Sequence, residues 1–135
     1  MTHEEIDMMP AGREMDVAIA EQSMGYRWER PSYLQNSDLF VAPNTDEVGY
    51  RYEGRAPVYY EGLPHYSTDI AAAWQVVESL RAMGFVVLIS SPRPVHAWGV
   101  EAWHLDVEHD RRRGEAYADT APLAICRAAL KAVRP

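Results

Sequence analysis

The chain has a single cysteine, Cys126, among 135 residues. One thiol excludes an intrachain disulfide framework and a cysteine zinc cluster alike. Long apolar runs are also missing, since none approaches the roughly 18 residues that a membrane span requires. The acidic start THEEIDMMP lacks the continuous apolar stretch of a secretory signal, so a cytosolic protein is expected. There is no internal repeat and no low-complexity tract, and GxSxG elbow, P-loop and dinucleotide fingerprint are all absent. Positive charge is scarce: 13 Lys and Arg against 20 Asp and Glu give a formal net charge of −7. That balance opposes non-specific attraction to nucleic acid or to an anionic membrane, because much of such affinity comes from neutralising phosphates. A local basic patch that binds a small anion is compatible with it.

An apolar share of 47% with 24% charged residues is that of an ordinary globular protein. A chain of this length buries about two thirds of its unfolded surface, so residues 1–135 are read as one domain. Cys126 lies at helical spacing with Leu123, Leu130 and Val133, which makes it a core residue rather than a reactive thiol.

Thr2 to Glu5 spells a T-x-x-E capping box for a short first turn, and Pro10 with Gly12 breaks and restarts the chain. Arg13 to Met24 reads as a second helix, with Gly25 at the left-handed C-terminal position. From Tyr26 to Pro64 short extended pieces follow, and Leu39–Ala42, Val48–Tyr52 and Pro57–Tyr60 are the expected strands. LPHYSTDIAAAWQVVESL then writes a helix start and an amphipathic helix from Thr68 to about Met83, capped by Ser67 or Thr68 and ended by Gly84. Phe85 to Ile89 is an unbroken apolar run, as in a strand covered on both faces. Val95 to Val107 alternates like a long strand, and the short SSPRP connector favours antiparallel pairing with its predecessor. EHDRRRGEA is read as a polar loop before a last helix, capped by Asp119 or Thr120 with Pro122 in its first turn. The expected class is α+β, an α/β/α sandwich with a mainly antiparallel sheet between helices. Its expected core holds Ile70, Trp74, Val77, Phe85, Val87, Ile89, Leu105, Ile125 and Leu130.

Three phrases in order, GREMDVAIAEQSMG, YSTDIAAAWQVVE and ADTAPLAICRAAL, resemble the phage ABA sandwich domain family of small bacteriophage and prophage proteins. The resemblance implies an α/β/α sandwich and a phage setting, hence the host cytoplasm. It carries over no catalytic residue.

Four constellations bear on chemistry. His104, Asp106 and Glu108 alternate toward one strand face and are metal-ligand types, although an exposed polar strand end has the same pattern; they are weak candidates, and no metal or other cofactor is expected. His65, Ser67 and Asp69 contain the types of a nucleophilic triad, but their closeness at a helix start fits capping instead. Arg111, Arg112 and Arg113 stand before Tyr117 and the last helix, where guanidinium groups beside helix amides would hold phosphate. Aromatic side chains crowd the middle of the chain, and flat rings there can stack on a base or form an interface.

The ligand-binding set read from these is Trp28, Tyr33, Tyr59, Tyr60, His65, Tyr66, Arg111, Arg112, Arg113 and Tyr117. The function expected is non-enzymatic: a phage accessory protein that sequesters a nucleotide-type immune signal of the host. The alternatives are an interaction module that inhibits a host or phage protein by contact, and a metal-dependent hydrolase. The expected partners are accordingly a small nucleotide or a host protein, with a second copy of the chain in a homo-oligomer.

Overall fold

The computed structural model describes residues 1–29, 37–41, 43, 48–53, 56–57, 63–91, 97–106 and 108–134. The first helix, α1 (His3–Met8), starts at the capping box that the sequence spells: Thr2 Oγ1 accepts the Glu5 N–H at 3.1 Å and Glu5 Oε2 accepts the Thr2 N–H at 2.9 Å. After Gly12 comes α2 (Arg13–Gln22), and Gly25, at a φ of +77°, turns the chain into the first sheet. Four antiparallel strands form that sheet in sequence order: β1 (Arg27–Glu29), β2 (Ser37–Val41), β3 (Val48–Glu53) and β4 (Ala56–Pro57). Phe40 fastens it to the core, fully buried, with the Tyr26 and Trp28 rings 5.1 and 4.3 Å away.

The second half runs α3 (Ile70–Ala82), β5 (Phe85–Ser90), β6 (Trp98–His104), β7 (Arg113–Ala118) and α4 (Ala121–Ala132). β5, β6 and β7 make an antiparallel sheet in that order, so the class is α+β, as expected. α4 lies on β6 and β7, α3 on β5 and against α4, while α1 and α2 pack on α4. Inward-facing side chains of this sheet come from Phe85, Val100, Ala102, Ala116 and Ala118, all buried. Its other face presents Leu88, Arg113, Glu115 and Tyr117 to solvent, with no helix over it among the described residues. Among the described residues the apolar run of β5 is covered by a helix, α3, on one face.

Several expectations are corrected. The second half of the EHDRRRGEA loop is strand β7, whose alternation uses small residues inward (Gly114, Ala116, Ala118) and charged or aromatic ones outward. Small inward residues let α4 sit close: a Cβ at Gly114 would run into the Ala128 carbonyl. Ile70, Trp74 and Leu105 are not core residues but 53%, 48% and 70% exposed. α3 is apolar nearly all round, and packing against α4 and β5 selects Ala72, Ala73, Val76, Val77 and Leu80 instead. The cap of α3 is Asp69, whose carboxylate accepts the Ala71 N–H at 3.1 Å. Thr120 is the N-cap of α4, without a side-chain bond.

Ser67 has another task. Its N–H and hydroxyl donate to Asp16 Oδ1 at 2.8 and 2.7 Å, and its Oγ accepts the Gly12 N–H at 2.9 Å. Asp16 and Ser67 are both fully buried, and Arg13 reaches the other Asp16 oxygen at 3.0 Å. This network ties the start of α2 to the turn before α3. No helix among the described residues is long and apolar enough to cross a membrane.

Candidate ligand-binding site

β7 and α4 decide what the arginine loop meets. Six strand residues span about 20 Å and twelve helical residues about 18 Å, and a two-residue turn folds one back along the other. The end of α4 therefore returns to the start of β7. Lys131 Nζ donates to the Glu115 carbonyl at 2.9 Å and pairs with Asp7 of α1 at 2.7 Å. Thus Arg111, Arg112 and Arg113 lie beside the C-terminal end of α4, not beside its N-terminal amides. The helix amides have no part in the site, which rests on side-chain charge.

Between the β6–β7 loop, the last turn of α4 and the start of α1 lies a concavity of about 610 Å³, lined by Thr2, His3, Arg111, Arg112, Arg113, Lys131 and Arg134. Five cations line it and, among the described residues, no carboxylate does, in a chain of net charge −7. Carboxylates behind it hold three of the cations. Asp110 clasps Arg112 through Nε at 3.0 Å and Nη2 at 2.6 Å, Asp7 holds Lys131, and Glu101 stands 3.9 Å from Arg113. The clasp by Arg112 holds the Asp110 carboxyl down at about 2. The Arg112 guanidinium also lies 5.2 Å from the centre of the Phe85 ring, within cation–π range. Arg111 and Arg134 have no ion pair or hydrogen bond among the described residues. Cations at this helix end are favoured by its carbonyl dipole even without a ligand, but that accounts for Lys131 and Arg134 rather than for the loop.

A smaller concavity of about 320 Å³ adjoins it, sharing Arg111, Arg112 and Arg113 and adding Trp103, His104 and Asp110. His104 is engaged at both ring nitrogens. Nδ1 accepts the Asp106 N–H at 3.1 Å, so in the neutral ring Nε2 carries the proton and donates to the Met83 carbonyl at 3.1 Å. Asp106 meets His109 at 3.0 Å, and Glu108 is exposed. The H-x-D-x-E run is thus a chain of local turn contacts, and among the described residues no three His, Cys, Asp or Glu side chains gather into a metal-holding group.

Of the ligand-binding set read from sequence, the structure brings together, among the described residues, only Arg111, Arg112 and Arg113. Tyr66 is a core residue, 1% exposed, because the turn before α3 packs inward. Trp28 lies on Phe40 in the first sheet. His65 meets Arg13 at 3.0 Å beside the Asp16 network. Tyr117 is on the open sheet face, bonded to Glu115 at 2.8 Å and about 13 Å along β7 from Arg113. The Glu115 bond raises its hydroxyl pKa. Tyr33, Tyr59 and Tyr60 fall outside the described residues. Sequence reading missed His3, Trp103, Lys131 and Arg134. The last two were recoverable only by reading RGEAYA as a strand, which folds α4 back upon the loop.

The family described as the phage ABA sandwich domain matches residues 17–130, from within α2 to near the end of α4. No curated protein matches the chain, and no solved structure does.

Proposed function

The chain belongs to the phage ABA sandwich domain family, and from that premise we propose that it acts by binding, not catalysis, holding a phosphate-bearing small molecule in the five-cation concavity. One observation carries the reading: among the described residues, five cations and no carboxylate line a single hollow of an acidic protein. Arg111 and Arg134 supply the uncommitted charge, and Arg112, Arg113 and Lys131 are pre-positioned by Asp110, Glu101 and Asp7. A planar group attached to the phosphate would reach Trp103 in the adjoining hollow, which makes a nucleotide the fitting class. Sequestration of a host immune nucleotide in the host cytoplasm is the use that agrees with phage kinship and with a hollow lined chiefly by cations.

Native mass spectrometry of the protein with cyclic nucleotides, ADP-ribose and inorganic pyrophosphate tests the proposal. A discrete mass shift is expected, weakened at least tenfold by Arg111→Ala with Arg134→Ala and unaccompanied by a change in melting temperature. Trp103→Ala should weaken the nucleotides and spare pyrophosphate. Protein alone throughout the panel would remove the reading.

A further inference from the structure

Among the described residues the smaller hollow has a carboxylate in its lining, Asp110, and the larger has none. The Arg112 clasp, which holds the Asp110 carboxyl down at about 2, keeps it ionised. An ionised carboxylate disfavours phosphate, so phosphate is sorted to the larger hollow and the uncharged end of a ligand to the smaller. The side chains around that end leave few polar groups free. Arg111, Arg112 and Arg113 only donate. Both ring nitrogens of His104 are spent, on the Asp106 N–H and the Met83 carbonyl. A carboxylate has about four acceptor positions, and three N–H groups of Arg112 meet those of Asp110. The backbone N–H donates to Oδ1 at 3.0 Å, Nε–H is shared between the two oxygens at 3.0 Å, and Nη2–H donates to Oδ2 at 2.6 Å. About one position stays open, on a side chain 21% exposed.

Trp103 stands directly opposite Arg113 across the β6–β7 ladder, which sets their Cβ atoms about 5 Å apart. Its side chain has no hydrogen bond or ring contact among the described residues, so the indole is available to stack on a base. We infer that the smaller hollow selects a nucleobase bearing an exocyclic amine, its ring on Trp103 and its amine N–H donated to Asp110, with the phosphates among the cations of the larger hollow. The inference rests on the phosphate-holding reading given above and adds the acceptor that chooses the base. Adenine, cytosine and guanine carry such an amine. Uracil sets a carbonyl oxygen in the same place, against the carboxylate, and is disfavoured by repulsion as well as by the missing donor. Asp110 therefore has two sides: one positions Arg112, and the other reads the base.

Isothermal titration calorimetry of the intact protein tests it, with ADP, UDP, inorganic pyrophosphate and purine riboside 5′-diphosphate, which differs from ADP only in lacking the amine. ADP is expected to bind about tenfold tighter than the purine analogue, the scale of a hydrogen bond to a charged group, and UDP more weakly than either. Asp110→Asn also loosens Arg112 and so weakens every ligand, which makes the ratio between ADP and its analogue the readout. That preference should disappear, because Arg112 claims the amide oxygen and turns the amide NH2 toward the hollow. Equal binding of ADP and the purine analogue by the parent protein, or a preference that survives in Asp110→Asn, would overturn the inference and leave the phosphate site standing. Binding of none of the four, pyrophosphate included, would overturn both.

Discussion

Among the described residues β5 and β7 are the two edges of one antiparallel sheet, yet they are built in opposite ways. β7 is thin on its inner side, Gly114, Ala116 and Ala118, and charged on its outer side, with Arg113 and Glu115. α4 lies close upon it, so Lys131 reaches the Glu115 carbonyl and the edge ends in a basic hollow. β5 is thick and uncharged on its inner side, with Phe85, Val87 and Ile89 there, and a groove lined mostly by apolar residues adjoins it. Small inward residues thus create charge convergence on one side, and large ones leave an apolar seam on the other. The same sheet thus carries a cation-lined hollow at one edge and a largely apolar groove at the other.

The close side should be the less forgiving. Gly114→Ala places a methyl against the Ala128 carbonyl, where backbone rather than a flexible side chain must yield. A loss of more than about 3 kcal/mol is expected in urea denaturation, along with displacement of Lys131 and loss of the hollow. A variant as stable as the parent would show that α4 does not press on β7. On the thick side, Phe85→Ala removes a 3% exposed ring that meets His104 edge-on at 5.4 Å and carries Arg112. About 3 kcal/mol should be lost, with loosening of the Arg112–Asp110 clasp visible in NMR as a broadened Arg112 Nε–H signal.

The smallest effect sharpens the contrast through pH. The Asp110 carboxyl is held at about 2, below its ordinary range near 4. A depressed folded-state value contributes stability that is present above about pH 4 and fades as pH falls through 2. The clasp should therefore persist while exposed carboxylates protonate, and Asp110→Asn should flatten the acid limb of the stability curve between pH 4 and 2. An unchanged limb would mean that the clasp does not differ between folded and unfolded chains.

How much of this was legible in the chain varies with how local the signal is. The capping box at Thr2, the start of α4 at Pro122 and the buried Cys126 rest on short-range spacing and were readable; burial among α4's neighbours pushes the thiol pKa up. β7 was not, because RGEAYA carries charges and glycine instead of branched residues, and its strand identity comes from α4 needing a thin floor. Trp74 and Ile70 looked like core since α3 is apolar on most sides, and only the positions of α4 and β5 choose the face. Tyr66 and Ser67 followed the opposite course, polar-tipped residues at a turn that the fold buries, Ser67 against Asp16. The basic hollow required residues 3, 111 and 134 to meet, which no window along the chain displays.

Hydrogen–deuterium exchange of the intact protein, read by peptide with and without ADP-ribose at two protein concentrations, tests the two-edge account most directly. Exchange in residues 108–113 should slow with ligand at both concentrations, while exchange in β5 should ignore the ligand. Equal behaviour of the two regions, or protection of neither, would contradict it.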